Sequence, residues 1–298
     1  MLLSNTMNEV VQILQMKQQE LADSIVETYK PTMYSRGQYI IYKYNNKPKP
    51  MLCVHLDTIN TLGKEPTINP ITDFEYDSTL DILGLSSTSK LRCLGGDDRA
   101  GVWIALKVLK WMQDNNDYKY DIGFFYDEEV GCIGSSAYQL AFTDDNITCY
   151  IGLDRKSSNG LAEVATYGFD NEKLINKFIS MGYTEHMGSV TDASNLSGEV
   201  ACVNLSVGYE YEHTKKEILH ISCMYQTYVD VIGMDWRDEV YEVEELGYMS
   251  GYYNDMTDDF YIYELEQENT ILRDLLESMG VSADDALKEC RPAYMESA

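Results

Sequence analysis

Five short runs of β-branched and aromatic residues, at 39–44, 51–55, 122–126, 148–153 and 201–207, constrain this chain more than any other feature. Helical patterns separate them, and strands alternating with helices argue an α/β sheet with helices on its faces. The expectation is one three-layer domain around a central mixed, mostly parallel sheet. The clearest helix covers about 99–112, where Val102, Ile104, Ala105, Val108, Leu109 and Met112 make a broad apolar stripe directly after Gly95, Gly96, Asp97 and Asp98. Further upstream, Val10, Val11, Ile13, Leu14, Leu21, Ile25 and Val26 predict a packed amphipathic helix over about 7–29.

A chain of 298 residues is long enough to bury a substantial core. It carries 23 Lys and Arg against 49 Asp and Glu, a net charge of −26 that repels phosphate backbones and anionic membrane surfaces. Neither nucleic acid nor a membrane is an expected partner. Eighteen of the acids fall in residues 235–298, against four basic residues, so the chain divides into a body at 1–234 and an acidic, partly helical extension at 235–298. In that extension Leu265, Ile271, Leu272, Leu275, Leu276 and Met279 form one stripe of about two heptads, suited either to self-association into a homo-oligomer or to a charged helix lying on the body. The seven cysteines include no CxxC pair and read as reduced core thiols. No basic segment precedes an apolar stretch at the N-terminus, and no run approaches the ~18 apolar residues of a membrane span, so a cytoplasmic location is expected.

The residues that carry chemistry stand where the apolar runs end. In MLCVHLD, His55 closes a run and Asp57 can reach its ring; the pair suits a metal ligand with its orienting carboxylate, and equally a hydrogen-bonded structural pair. In LGGDDRAGV, two glycines allow a tight turn, and Asp97 and Asp98 stand at the mouth of a helix, where its dipole favours carboxylates. Capping explains one of those acids, not both. GFFYDEEVG sets three acids after a strand, a repulsive cluster unless cations are near, though such triplets also occur on acidic surfaces. CYIGLDRKSSN closes a strand with Asp154, and VNLSVGYEYEHTKKE brings His213 after a strand and a short turn. Read in order, His, Asp, Glu-Glu, Asp and His each fall at a predicted carboxyl end, the edge where open α/β sheets place ligand sites. Two imidazoles with several carboxylates suit zinc, cobalt or manganese better than calcium, and a two-metal hydrolase is the chemistry that follows.

HLD, GGDDRAG, DEEVG, GLD and the late HT together resemble the co-catalytic dizinc exopeptidases of clan MH, which include aminopeptidases, peptidase T and carboxypeptidase G-like deacylases. The resemblance covers about residues 50–215. It implies two divalent ions, zinc before cobalt or manganese, one held by His55, Asp97 and Asp154 and the other by Asp97, Glu129 and His213, with Asp97 shared. It further implies Glu128 as general base, Asp57 orienting His55, Asp98 doing the same for His213, and a cis peptide between Asp97 and Asp98. Relatives with a lid domain carry roughly a hundred residues between the Asp of GLD and a GGSDA-like segment. Here GSVTDASNL follows Asp154 after about thirty-five residues, which implies the compact form without a lid.

The resemblance implies hydrolysis of an N-terminal peptide bond or a related amide. An N-acyl amino acid deacylase would use the same residues, and a non-catalytic relative kept for binding or assembly is the reading from another class. The substrate is thus a peptide or an acylated amino acid. The sequence contains no GxGxxG or GxxxxGK[ST] loop, which argues against a nucleotide-binding protein on a similar sheet. Arg155 and Lys156 suit either attraction of a substrate carboxylate or neutralisation of local acids, with the second favoured. Tyr209 and Tyr211 are candidates to line a pocket, Asp192 to orient a ligand or meet a substrate amine. His186 and His220 belong to no motif and read as structural.

Overall fold

The apolar runs become the centre of one large sheet. The computed structural model describes residues 2–45, 47–61, 66–142, 146–167, 171–236 and 239–243. Two helices, α1 (Leu2–Leu14) and α2 (Gln18–Tyr29), precede strands β1 (Met33–Ser35), β2 (Tyr39–Tyr42) and β3 (Lys49–His55). A short α3 (Pro70–Asp73) leads into the hairpin β4 (Phe74–Asp77) and β5 (Ile82–Leu85), followed by α4 (Gly96–Asn115), β6 (Asp121–Phe125), α5 (Ile133–Ala141) and β7 (Ile147–Arg155). Then come β8 (Glu163–Thr166), α6 (Glu172–Ile179), β9 (Thr184–Met187), α7 (Asp192–Leu196), β10 (Cys202–Ser206), β11 (Tyr209–Glu210), β12 (Ile218–His220) and α8 (Ile221–Gly233).

The main sheet has eight strands in the order β1-β2-β6-β3-β7-β10-β8-β9, and β11-β12-β5-β4 form a smaller antiparallel sheet. β3 runs parallel to both β6 and β7, and β7 parallel to β10, so the four central strands end at one edge. Period-two alternation assigns their side chains to opposite faces. Leu52, Val54, Ile122, Phe124, Ile151 and Leu153 join the larger core with α1, α4 and α8, whereas Met51, Cys53, Phe125 and Tyr150 pack toward α5 and α7. This is the expected three-layer α/β architecture. Among the described residues, β8, α6 and β9 fill the interval between Asp154 and the 188–196 segment, with no separate lid there.

Two expectations shift. The single helix over 7–29 is two, because the Glu20 carboxylate accepts the Lys17 amide at 3.2 Å and starts a second helix there. The chain also stays on the body past 234. The Trp236 ring N–H donates to the Tyr120 hydroxyl at 2.7 Å, and Tyr241, 1% exposed, exchanges backbone hydrogen bonds with Thr148 and Ala201. The chain divides into two units, residues 1–245 and residues 246–298; the stripe from Leu265 to Met279 lies outside the described residues. Cys53, Cys93, Cys132, Cys149, Cys202 and Cys223 are all free thiols, five of them buried. Among the described residues no helix is long and apolar enough to cross a membrane.

Candidate metal centre

The central strands deliver their last residues to one place. β3 ends in His55, β7 carries Asp154, and β6 is followed by Asp127, whose φ of 57° turns the chain so that Glu128 and Glu129 follow directly. Beyond β11 the chain turns at His213, itself at φ 61°. Asp97 and Asp98 open α4 with backbone angles that are not helical, and the peptide between them is cis, as the resemblance implies. Gly101 explains the last glycine of GGDDRAG: a Cβ there would run into the Leu153 carbonyl oxygen, so only glycine lets α4 approach β7 this closely.

Six side chains converge. His55 Nε2 lies 3.0 Å from Asp97 Oδ1 and 3.4 Å from Asp154 Oδ1. His213 Nε2 lies 3.3 Å from Asp97 Oδ2 and 2.9 Å from Glu129 Oε2. The two oxygens of Asp97 therefore face different imidazoles, and Glu128 Oε2 stands at the margin, 4.0 Å from His55 Nε2. Among the described residues, two groups could each hold an ion: His55 with Asp97 and Asp154, and Asp97 with Glu129 and His213, their ligand atoms within 4.8 Å of one another. These are the triplets that the resemblance implies.

The electrostatics call for positive charge. Burial pushes Asp154 up to about 7 against the opposing charge of His55. Burial likewise raises Glu128 well above the usual range, with Asp154, Glu129 and Asp192 adding to it and His55 opposing, and it raises Glu129 and Asp98. At Asp97 burial is outweighed by hydrogen bonds from His213 and His55, which hold this carboxyl below the usual range. Burial opposes charge on the imidazoles too, but the carboxylates prevail: His55 is raised well above its ordinary value and His213 to about 12. Acids and imidazoles crowded in this way hold protons that a divalent cation would displace. Two imidazoles with carboxylates fit zinc, cobalt or manganese.

A surrounding layer fixes these side chains. Asp57, 1% exposed, faces His55 Nδ1 at 3.2 Å and accepts the Glu128 and Glu129 amides at 3.0 and 3.1 Å. One carboxylate thus sets both the imidazole and the acidic turn. Asp98 does not reach His213. It accepts the His55 amide at 3.1 Å and the Gly101 amide at 3.0 Å, because it caps the regular part of α4. The Asn204 side-chain oxygen accepts the Asp154 amide at 2.9 Å, and the Tyr209 hydroxyl donates to the Asp154 carbonyl oxygen at 3.0 Å. Tyr209 is therefore a buried support, not a pocket wall; Tyr211 is exposed.

Arg155 and Lys156 neutralise acids, with Arg155 paired to Glu163 at 3.0 Å and Lys156 to Glu212 at 2.6 Å. Asp192 is enclosed at the start of α7, and burial pushes it up to about 7; its shielded oxygens present no open face to a substrate amine. His186 and His220 stand apart, facing Glu163 and Glu210. Sequence reasoning missed Glu217, whose buried carboxylate binds the Gly95 and Asp97 amides. Its only signal is a position four residues after His213.

Residues 40–200, just over half of the chain, match the model of peptidase family M28; His213 lies beyond the matched span. No curated protein sequence matches the chain. The fold is similar to that of a tripeptidase from Staphylococcus aureus, with a TM-score of 0.56 at 12% identity over 77% of this chain and 96% of that one. It is similar also to aminopeptidase PepT from Bacillus cereus, with a TM-score of 0.56 at 14% identity over 77% and 97%. The TET1 peptidase of Pyrococcus horikoshii, which can assemble into a tetrahedron or a large octahedral shell, gives a TM-score of 0.50 at 12% identity over 78% and 100%. At these identities the likeness is one of fold.

Proposed function

Because this chain belongs to peptidase family M28 and is a metal-dependent peptidase, we propose that it releases residues from the N-terminus of peptides at a site for two divalent cations, with zinc the preferred metal. The observation that carries this reading is the Asp97 carboxylate, one oxygen toward each imidazole. His55 and Asp154 would complete one set of ligands, and Glu129 and His213 the other. When bound, the cations supply Lewis acidity and lower the pKa of the attacking water.

The chain's own residues do the rest. Glu128 is the general base: its carboxylate lies beside the ligand cluster without belonging to either triplet, and burial strengthens it as a proton acceptor. It takes a proton from water as the oxygen attacks the scissile carbonyl, then returns that proton to the departing amine nitrogen as the C–N bond breaks. Asp57 holds the base's backbone amide and the His55 ring together, so base and ligand keep one geometry through the reaction. Self-association belongs to the proposal as well, supported by the assembly of the TET1 peptidase; light scattering on the purified protein tests it.

The test of the reaction compares one peptide in three forms, with a free amino terminus, N-blocked and N-acylated, together with N-acylated single amino acids. Cleavage only of the free form is expected. Hydrolysis of acylated amino acids alone would move the reading to a deacylase on the same residues, and no hydrolysis of any substrate by metal-loaded protein would overturn it.

A further inference from the structure

Glu217 belongs to neither ligand triplet, yet it is 1% exposed and connects the two loops that meet at the site. Its own amide donates to the Thr214 carbonyl oxygen at 3.1 Å, which anchors it in the turn that carries His213. Its side chain then reaches to the opposite loop. Oε2 accepts the Gly95 amide at 2.9 Å, and Oε1 accepts the Asp97 amide at 3.1 Å. The glycine between those amides leaves room for the carboxylate: a Cβ at Gly96 would stand 3.0 Å from Glu217 Oε1 and 3.0 Å from Tyr209 Cβ.

A buried carboxylate costs stability unless its oxygens are bonded, and an apolar side chain would fill the same space without that cost. What the carboxylate adds is a pair of charge-assisted hydrogen bonds to backbone amides about 120 residues away in sequence. One of those amides belongs to the residue whose two oxygens face two imidazoles. A small rotation of the Asp97 backbone would turn its carboxylate away from one of them.

We propose that Glu217 is a positioning residue of the two-cation site, fixing the Asp97 backbone against the His213 turn so that one carboxylate faces both imidazoles. This rests on the two-cation reading above. The test uses the full chain, freed of metal, as wild type, Glu217→Ala and Glu217→Gln. Each is titrated with zinc against a competing chelator, melted with and without zinc, and examined by visible absorption after loading with cobalt.

The expected result for Glu217→Ala is roughly 10–100-fold weaker zinc binding, as for other residues that orient ligands. Its cobalt spectrum should change, and its zinc-induced rise in melting temperature should shrink by more than the metal-free melting temperature falls. Glu217→Gln keeps one acceptor oxygen and sets an amide N–H against a backbone N–H, so its loss should be intermediate; if the alanine variant does not fold, this near-isosteric one carries the test. A folded variant with wild-type zinc affinity and cobalt spectrum overturns the proposal. Wild-type protein that takes fewer than two ions overturns the two-cation reading instead, and the Glu217 role with it.

Discussion

The two imidazoles of the candidate metal centre are supported in opposite ways. His55 closes a central strand, 1% exposed, with its ring held by Asp57 and its amide by Asp98. His213 stands on a turn with its side chain 28% exposed, and that turn is tied to the centre through Glu217. One imidazole takes its position from the sheet, whereas the other takes it from a loop clamped to the first. Asp97 is where the two supports meet, which is why its replacement should be felt by both halves.

Asp97→Ala should produce the largest effect, with metal content falling on both sides and peptide hydrolysis dropping to background. Elemental analysis beside a turnover assay checks it; a variant that keeps two tightly held ions would mean that the halves are independent. Glu128→Gln should come next, lowering kcat by about 10²–10⁴-fold while metal content stays at the wild-type level. Unchanged turnover would remove Glu128 from the role of base.

A smaller loss separates the halves. Asp57→Asn should weaken metal binding by about 10–100-fold, chiefly at the strand-borne site, because Asp57 orients His55 and not His213. Spectra of cobalt-loaded protein titrated to one and then two equivalents distinguish the sites, and equal weakening of both would mean that the two imidazoles do not depend on separate supports.

The smallest effect is the pH dependence of the metal-free protein. Asp154 is raised from 3.8 to about 7, so between those values the folded chain keeps a proton that the unfolded chain releases, and stability falls as pH rises through that window. His213, raised from 6.5 to about 12, acts in the same direction: its contribution is complete below the unfolded value and is lost as pH rises toward 12. Urea midpoints of metal-free protein should therefore fall from about pH 5 to about pH 8, and metal should abolish the fall. A midpoint that rises over that interval would contradict the assignment.

Much of this site was legible in the sequence because the residues that converge there adjoin strong local signals. His55, Asp154 and the Glu128–Glu129 pair each follow an apolar run, and Asp97 precedes a helix with an evident stripe. Less legible were features that depend on contacts across the fold. Asp98 supports His55 rather than His213 because it caps α4, a direction that spacing does not encode. Glu217 is one acid among many in an acidic chain until folding sets it beneath Gly95 and Asp97. The boundary placed at 234 by charge missed Trp236 and Tyr241, two aromatic anchors within an acidic stretch. The break before α2 turns on a single Glu20 hydrogen bond that apolar periodicity does not register.

Anomalous diffraction from zinc-loaded crystals shows whether Asp97 is shared by two cations. Two peaks about 3.5–4 Å apart, one beside each oxygen of Asp97, are the predicted result. A single peak, or peaks away from Asp97, would contradict it.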